Sequence, residues 1–189
     1  AGGRGCGKSN IVNAFAHLGV PVYKADDEAK RLNEESPAIR SFLSDLLGPE
    51  SYLPNGHLNK PYMASRIFSD DNLLQRVNHI VHAEVQRDFL QWAEKQSESG
   101  AKYVVCEAAI MIENNFYRAM DMLIVADLDM DTRIARTMAR DNSSREQVLA
   151  RMSKQLPQEE LLKYADVVLC TDDKHPILKR ILEINTIHR

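Results

Sequence analysis

The sequence predicts an α/β fold built on a mostly parallel central sheet. Three observations lead there. The chain opens with Gly2-Gly3-Arg4-Gly5-Cys6-Gly7-Lys8-Ser9, which fits the phosphate-loop pattern G-x-x-x-x-G-K-[ST]. After Gly100, short apolar runs alternate with segments of helical periodicity. A helix-rich block from about 27 to 100 stands between the second and third of the strand-like runs, as an insertion into a parallel sheet would.

The loop's spacing follows from its chemistry. Glycines bring the backbone close to a polyphosphate with no Cβ in the way. Successive N–H groups then form an anion nest. Lys8 reaches the β- and γ-phosphates, and the Ser9 hydroxyl is placed to ligate Mg²⁺. A helix opening at Lys8 and Ser9 adds its positive end to the site. A random chain of this length carries the pattern roughly once in a hundred times or fewer, so a flexible glycine-rich tail is the weaker account. A phosphate loop ordinarily leaves the end of a buried strand. Only Ala1 precedes this one, so we expect the protein to extend further towards its N-terminus.

Composition bounds the classes. A chain of 189 residues with 44% hydrophobic and 27% charged residues suits one substantial globular core with insertions. The net charge of −3 argues against a broadly basic nucleic-acid surface. No apolar run reaches membrane-spanning length. Three widely spaced cysteines without a C-x-x-C pair argue against a disulfide framework or zinc site. Cys106 and Cys170 lie in apolar runs and read as small core residues. Cys6, in the loop, reads as a small residue that fits.

The elements follow in order. Asn10 to Leu18 carries Ile11, Val12, Phe15 and Leu18 at helical spacing, with Gly19 at the C′ position. Val20 to Tyr23 is a short strand run. Ala38–Leu47 is a helix stopped by Gly48-Pro49, and Pro54-Asn55-Gly56 is a turn. Lys60–Phe68 is a short helix with Pro61 near its start. Asn72 to about Gln96 is one long helix or two abutting ones, with Leu73, Val77, Ile80, Val81, Val85, Phe89 and Trp92 as a core stripe. Tyr103–Cys106, Met122–Ala126 and Asp166–Cys170 are buried strands. Asp131–Arg140, Ser144–Gln155, Pro157–Lys163 and Pro176–Ile184 are helices.

Several residues are placed to carry chemistry. Asp26 follows the second strand, at the sheet edge where α/β proteins bind ligands. It reads equally as a proton acceptor or Mg²⁺ organiser and as a helix cap. Arg133, Arg136 and Arg140 share a helical face, with Arg145 and Arg151 beyond. They read as a closing phosphate clamp, or singly as a solvated face paired with Asp131, Asp141 and Glu146. Asp127 and Glu107 end strands and carry the same choice between metal acid and loop residue. His79 and His82 are three apart without further ligands at zinc spacing, so His82 suits a substrate contact better than a metal.

Taken together, these segments resemble the dephospho-CoA kinase family. The loop Gly2 to Ser9 is similar to the family's glycine-rich start, and Gly19-Val20-Pro21-Val22-Tyr23-Lys24-Ala25-Asp26 to its second strand. Leu58-Asn59-Lys60, Arg66-Ile67-Phe68 and Val77-Asn78-His79-Ile80-Val81-His82 match the order of its substrate-domain motifs. Glu107 to Glu113 resembles its apolar segment ending in Glu. Arg136 to Asp141, Ser144 to Val148 and Gln155 resemble its lid, and Ala165 to Leu169 its last strand. Ala83 and Ala109 stand where the family often has Pro, Lys24 where many members have Asp, and Thr171 where Asn is common.

The resemblance implies a P-loop, nucleoside/nucleotide-kinase-like three-layer fold. The core would comprise 1–26, 101–132 and 160–189, with a helical CoA subdomain over about 27–100 and a lid over about 133–159. It implies transfer of the ATP γ-phosphate to the ribose 3′-hydroxyl of dephospho-CoA, with Mg²⁺. Asp26, Lys8 and Arg140 would be catalytic. Gly3, Gly5, Cys6, Gly7, Lys8, Ser9, Asn10, Arg136 and Arg140 would hold ATP, and Ser9 would hold Mg²⁺ together with the phosphates. Asp26, Arg66, His82 and Glu113 would contact the acceptor. A cytoplasmic monomer or small homo-oligomer, with no nucleic-acid or membrane partner, is expected. The rivals are another P-loop kinase acting on a nucleotide, nucleoside or shikimate-type acceptor, a non-catalytic nucleotide-binding module, and a GTPase. The last needs Asn-Lys-x-Asp, but Asn59-Lys60 is followed by Pro61-Tyr62.

Overall fold

The structure is a computed structural model. It describes every residue except Ser69, Asp173 and Arg189. The chain divides into two units, one of Ala1–Tyr23 with Gln96–Arg189, the other of Lys24–Lys95.

In the first unit, helix α1 (Lys8–His17) buries Ile11, Val12 and Phe15. It ends in a Schellman pair: Gly19 N donates to Ala16 O (3.0 Å) and Val20 N to Phe15 O (3.1 Å). Val20 thereby returns to pack in the same cluster as Phe15. Strand β1 (Val22–Lys24) pairs with β2 (Val105–Glu107), and β3 (Ile124–Asp127) runs parallel to β4 (Val167–Cys170) with Ile124 opposite Val167 and Asp127 opposite Cys170. The single sheet expected from the sequence is thus present as two pairs of strands. Ala1 occupies the place between them. Its N donates to Ile124 O (2.7 Å) and its O accepts from Ala126 N (2.9 Å), the pattern of a parallel pairing. On its other side Ala1 lies near Glu107 and Cys106 of β2.

Around these strands Cys6, Ile11, Phe15, Val20, Ala126, Leu128, Leu169, Ile181 and Ile184 form one core, between α1 and α9 (Ile177–His188). Buried Asn185 accepts from the Tyr103 hydroxyl at 2.7 Å. Helix α6 (Met130–Asp141) is capped by Asp129, whose carboxylate accepts from Thr132 N at 2.9 Å. Helix α7 (Arg145–Met152) starts with a capping box between Ser144 and Gln147. These two helices share a small core of Ile134, Val148 and Met152. Helix α8 (Gln158–Leu162) follows Pro157. A 3-10 turn at Phe116–Ala119 has no counterpart in the sequence reading. Cys106, in the middle of β2, and Cys170, at the end of β4, are half-buried rather than core residues, because both strands are short and partly exposed.

In the second unit, α2 (Ala25–Glu35) and α3 (Pro37–Leu47) meet at Ser36. Ser36 caps α3, accepting from Ile39 N at 3.3 Å, and its hydroxyl donates to buried Glu84 at 3.0 Å. Arg31 reaches Glu28 (2.6 Å), Glu35 (3.0 Å) and both oxygens of Asp88 (3.0 Å). Tyr52 and Leu58 bridge antiparallel around the Pro54-Asn55-Gly56 turn, and the Arg40 guanidinium lies 4.0 Å over the Tyr52 ring. Helix α4 (Lys60–Ile67) is capped by Asn59. Helix α5 (Asp71–Glu98) is a single helix that buries Val77, Glu84, Val85 and Phe89. No helix among the described residues is long and apolar enough to cross a membrane.

Ser36 joins three helices through one hydroxyl. Ser36→Ala removes the cap and one partner of a buried carboxylate, so unfolding free energy should fall by roughly 1–3 kcal/mol. Urea denaturation reads this as a lower midpoint at constant slope. An unchanged midpoint would show that the Ser36–Glu84 contact contributes nothing.

Candidate active site

The phosphate loop is gripped from outside by three elements of the first unit. Gln158, on α8, donates to Ala126 O (2.9 Å) and Asp127 Oδ1 (3.1 Å), while its Oε1 lies 3.4 Å from Gly3 N. Gln155 accepts from Arg4 N at 3.0 Å. On α6, Arg133 is buried and its Nε donates to Arg4 O at 3.2 Å. Past the end of β4, the buried Thr171 hydroxyl donates to Cys6 O at 2.8 Å. The Cys6 side chain is fully buried in the core cluster, and burial pushes its thiol pKa up against the pull of Arg133 and Lys8. Cys6 therefore anchors the loop, and it is its backbone that belongs to the nest.

Two glycines lie in close approach to α6, and Gly5, which meets backbone, is required there. A Cβ on Gly3 would stand 2.2 Å from Arg133 Nη2. Gly5 has φ +81°, and a Cβ there would stand 2.5 Å from the Arg133 carbonyl oxygen. The loop runs through Gly7 (φ 71°) into α1 without a side-chain cap or an acidic residue in the first turn. The helix's positive end is thus left for an anion. Lys8 Nζ donates to Gly2 O (2.9 Å) and Gly3 O (3.3 Å), folded over the loop. Ser9 and Asn10 are exposed at the start of α1.

The other expected residues of this unit are placed less uniformly. Arg136 Nη1 donates to Thr171 O at 3.0 Å, which ties it to the residue holding Cys6. Arg140 is half-exposed and forks onto Asp141 (2.7 and 3.2 Å). Asp141 also receives Arg151 (3.3 Å) and Arg4 (3.6 Å), and these cations, Arg140 first, hold its carboxyl below the usual range. Arg145 pairs with exposed Asp131 at 3.2 Å. Glu113 accepts from Leu156 N at 3.1 Å, just ahead of α8. Asp127 and Glu107 end β3 and β2.

Asp26, Arg66 and His82 stand in the second unit. Asp26 is in the first turn of α2, whose N-cap is Lys24 with no side-chain bond, so Asp26 does not cap the helix. His82 lies near enough to feel both His79 and Asp26. Burial first, then the His79 charge, lowers its pKa, and Asp26 opposes them. Arg66 is exposed in the last turn of α4. Among the described residues, the one group of ligand-type side chains close enough for a metal is Cys170, Asp172 and His175, within 4.8 Å. There Asp172 Oδ1 already accepts from Lys174 N, His175 N and His175 Nδ1.

A family model described as dephospho-CoA kinase matches residues 1–176. The chain belongs to the dephospho-CoA kinase family. It is 38% identical over 184 residues to the dephospho-CoA kinase of Porphyromonas gingivalis, covering 97% of this chain and 89% of that one. Its structure is similar to that of TT1252 from Thermus thermophilus, with TM-score 0.81 and 31% identity over 98% of this chain and 93% of that one. It also shares its fold with a dephospho-CoA kinase from Campylobacter jejuni, with TM-score 0.68 and 20% identity over 99% and 94% of the two chains. The α/β fold is therefore that of P-loop kinases of this family.

Sequence reasoning passed over the residues that hold the loop. Arg133 stood in the basic cluster, yet buried alignment against glycines needs the fold to be seen. Thr171 was a departure from the family's Asn, and its hydroxyl instead serves Cys6. Gln158 carries no sequence signal.

The His82 shift has a checkable sign. A depressed histidine pKa means that the folded chain resists protonation. Its contribution to stability is full above the ordinary value of 6.5 and is lost as pH falls through the folded value. His82→Asn should narrow the loss of stability between pH 7.5 and pH 5.5 in denaturant titrations, relative to wild type. Equal losses in both proteins would overturn this.

Proposed function

We propose that this chain transfers the γ-phosphoryl group of ATP to the ribose 3′-hydroxyl of dephospho-CoA, giving CoA and ADP in the last step of CoA biosynthesis. The match of the family model to residues 1–176 carries this reading, and the intact phosphate loop is compatible with it. Loop amides and Lys8 take the β- and γ-phosphates. Lys8 exchanges its contacts with Gly2 and Gly3 carbonyls for phosphate oxygens, a stronger charge-assisted pairing.

The donor set suits Mg²⁺. Ser9 offers an exposed hydroxyl at the start of α1, and Asp127 and Glu107 offer hard oxygen ligands at the strand ends. Bound there, Mg²⁺ would neutralise charge building on the phosphates. Asp26 orients the acceptor hydroxyl and takes its proton, and its place in the first turn of α2 without a capping bond is compatible with that role. Arg136 and Arg140, both on α6, stabilise the transferring group as their side chains turn to it, with water excluded. Arg66, His82 and Glu113 contact the acceptor. The free thiols of Cys6, Cys106 and Cys170 suit the reducing cytoplasm. Its partners on this reading are the two substrates, not nucleic acid or membrane.

The test is ADP release with ATP, Mg²⁺ and a panel of acceptors. Dephospho-CoA should stimulate turnover well above water, AMP, shikimate or nucleosides, and no stimulation would sink the reading. Asp26→Asn should lower kcat by about 10²–10⁴-fold with ATP affinity retained. An unchanged kcat would remove Asp26 from the chemistry.

A further inference from the structure

The turn between β4 and α9 brings together three side chains of different chemistry. Cys170 ends β4, and Asp172 and His175 follow it at i+2 and i+5. One ligand atom of each lies within 4.8 Å of the other two: a thiol sulfur, a carboxylate oxygen and an imidazole nitrogen.

We infer that this turn binds Zn²⁺, or a cation of the same borderline softness. The donor set decides the class. A thiolate beside an imidazole suits Zn²⁺, whereas Mg²⁺ takes oxygen ligands. The sequence has no C-x-x-C pair, but three protein ligands and a water complete a tetrahedral site of the open kind. The spacing is close to what such a site needs. Zinc bonds of about 2.0 Å to oxygen and nitrogen place those two ligands about 3.3 Å apart. Asp172 Oδ1 and His175 Nδ1 stand at 2.7 Å, so they part by only about half an ångström on binding.

The frame is ordered beforehand. Cys170 pairs with Asp127 in the β3–β4 register, and Thr171 N donates to Asp127 O at 2.9 Å. Asp172 Oδ1 accepts from Lys174 N (3.2 Å) and His175 N (2.9 Å), which folds the turn so that the three side chains converge. Less ordering is then left for the metal to impose. Asp127 and Asp129 lie near enough to act on the Cys170 sulfur, so the surroundings attract a cation. The His175 side chain is 63% exposed, which leaves a path for the ion and a place for the water.

On binding, the Cys170 thiol gives its proton to solvent. Neutral His175 carries its ring proton on Nε2, so that Nδ1 offers its lone pair to the metal in place of its bond to Asp172. The thiolate and the Asp172 carboxylate together balance the charge of Zn²⁺. Cys170 and Asp172 flank Thr171, whose hydroxyl holds the Cys6 carbonyl and whose own carbonyl takes Arg136. A metal there would fasten the outer anchor of the phosphate loop, whichever acceptor the enzyme uses.

The test uses the whole chain without an affinity tag, with Zn²⁺ and Co²⁺ alone as probes. Wild type should bind one equivalent of Zn²⁺ with Kd of about 1 μM or below, read against a chromophoric chelator. Co²⁺ in its place should show sulfur-to-cobalt charge transfer in the near ultraviolet and the visible bands of tetrahedral coordination. Cys170→Ser should abolish the charge transfer. Cys170→Ser and His175→Ala should each weaken Zn²⁺ binding at least about tenfold, since loss of a ligand's outer partner alone costs that much. Cys106→Ser should change neither reading. Both ligand positions are half-buried or exposed, and circular dichroism checks that the variants fold. Zn²⁺ should also raise Tm of wild type more than that of His175→Ala. Three results would each overturn the inference, whatever the chain phosphorylates: no Zn²⁺ binding by wild type, equal affinity in wild type and His175→Ala, or charge transfer that survives Cys170→Ser.

Discussion

The site depends on holding a glycine-rich backbone still. Such a segment has more conformational freedom to lose than any other, and an anion nest works only when its N–H groups already converge. Here the ordering comes from side chains that bind the loop from outside. Thr171 takes the Cys6 carbonyl, Arg133 takes the Arg4 carbonyl, and Gln155 and Gln158 meet the Arg4 and Gly3 amides. Cys6 adds a fully buried side chain to the same core that holds α1 and β3 together. Because Gln158 also binds the end of β3, and Thr171 is itself hydrogen-bonded to Asp127, loop and strand ends form one network. Each of these residues acts on the loop's conformation from outside the nest.

The same network explains how the arginines divide. Along α6 the three share a face, but burial grades them. Arg133 is buried and structural, Arg136 is half-buried and tied to Thr171, and Arg140 is exposed and forked onto Asp141. An exposed ion pair contributes little to stability, so Arg140 can leave Asp141 at small cost. The buried Arg133 guanidinium, against Gly3 and bonded to the Arg4 carbonyl, cannot. The residue freest to follow a transferring phosphoryl group is thus the outermost of the three. Asp141, which also gathers Arg4 and Arg151, keeps that charge near the loop meanwhile.

The fold was legible where local patterns decide it. The Gly19 stop and the Ser144 start follow from caps alone, while periodicity left α5 open between one long helix and two, and the structure shows one. The strands were legible as apolar runs, but their partners were not, because strand pairing joins segments far apart in sequence. For the site, the loop motif named the backbone that matters but not what holds it. Arg133 reads identically to Arg136 and Arg140 in a helical repeat, and only their depths separate them. Thr171 looked like a lost family residue, yet it is a buried hydroxyl with a partner across 165 positions of sequence. For Asp26, which the sequence left open between cap and base, the structure removes the capping reading, since Lys24 holds the N-cap position.

On the proposed function, that placement would give the acceptor side a consistent charge pattern. His82 is held towards neutrality by burial and by His79, in spite of Asp26. A neutral imidazole keeps one acceptor nitrogen and one donor, whereas the protonated ring can only donate. A sugar hydroxyl, which both donates and accepts, is matched by the neutral form. Anionic groups are matched further along α5, where Arg76 is permanently charged. Dephospho-CoA has this same order, an uncharged ribose hydroxyl followed by a diphosphate. A histidine held neutral beside Asp26 and an arginine two turns away would therefore orient the substrate by charge before any shape-specific contact is made.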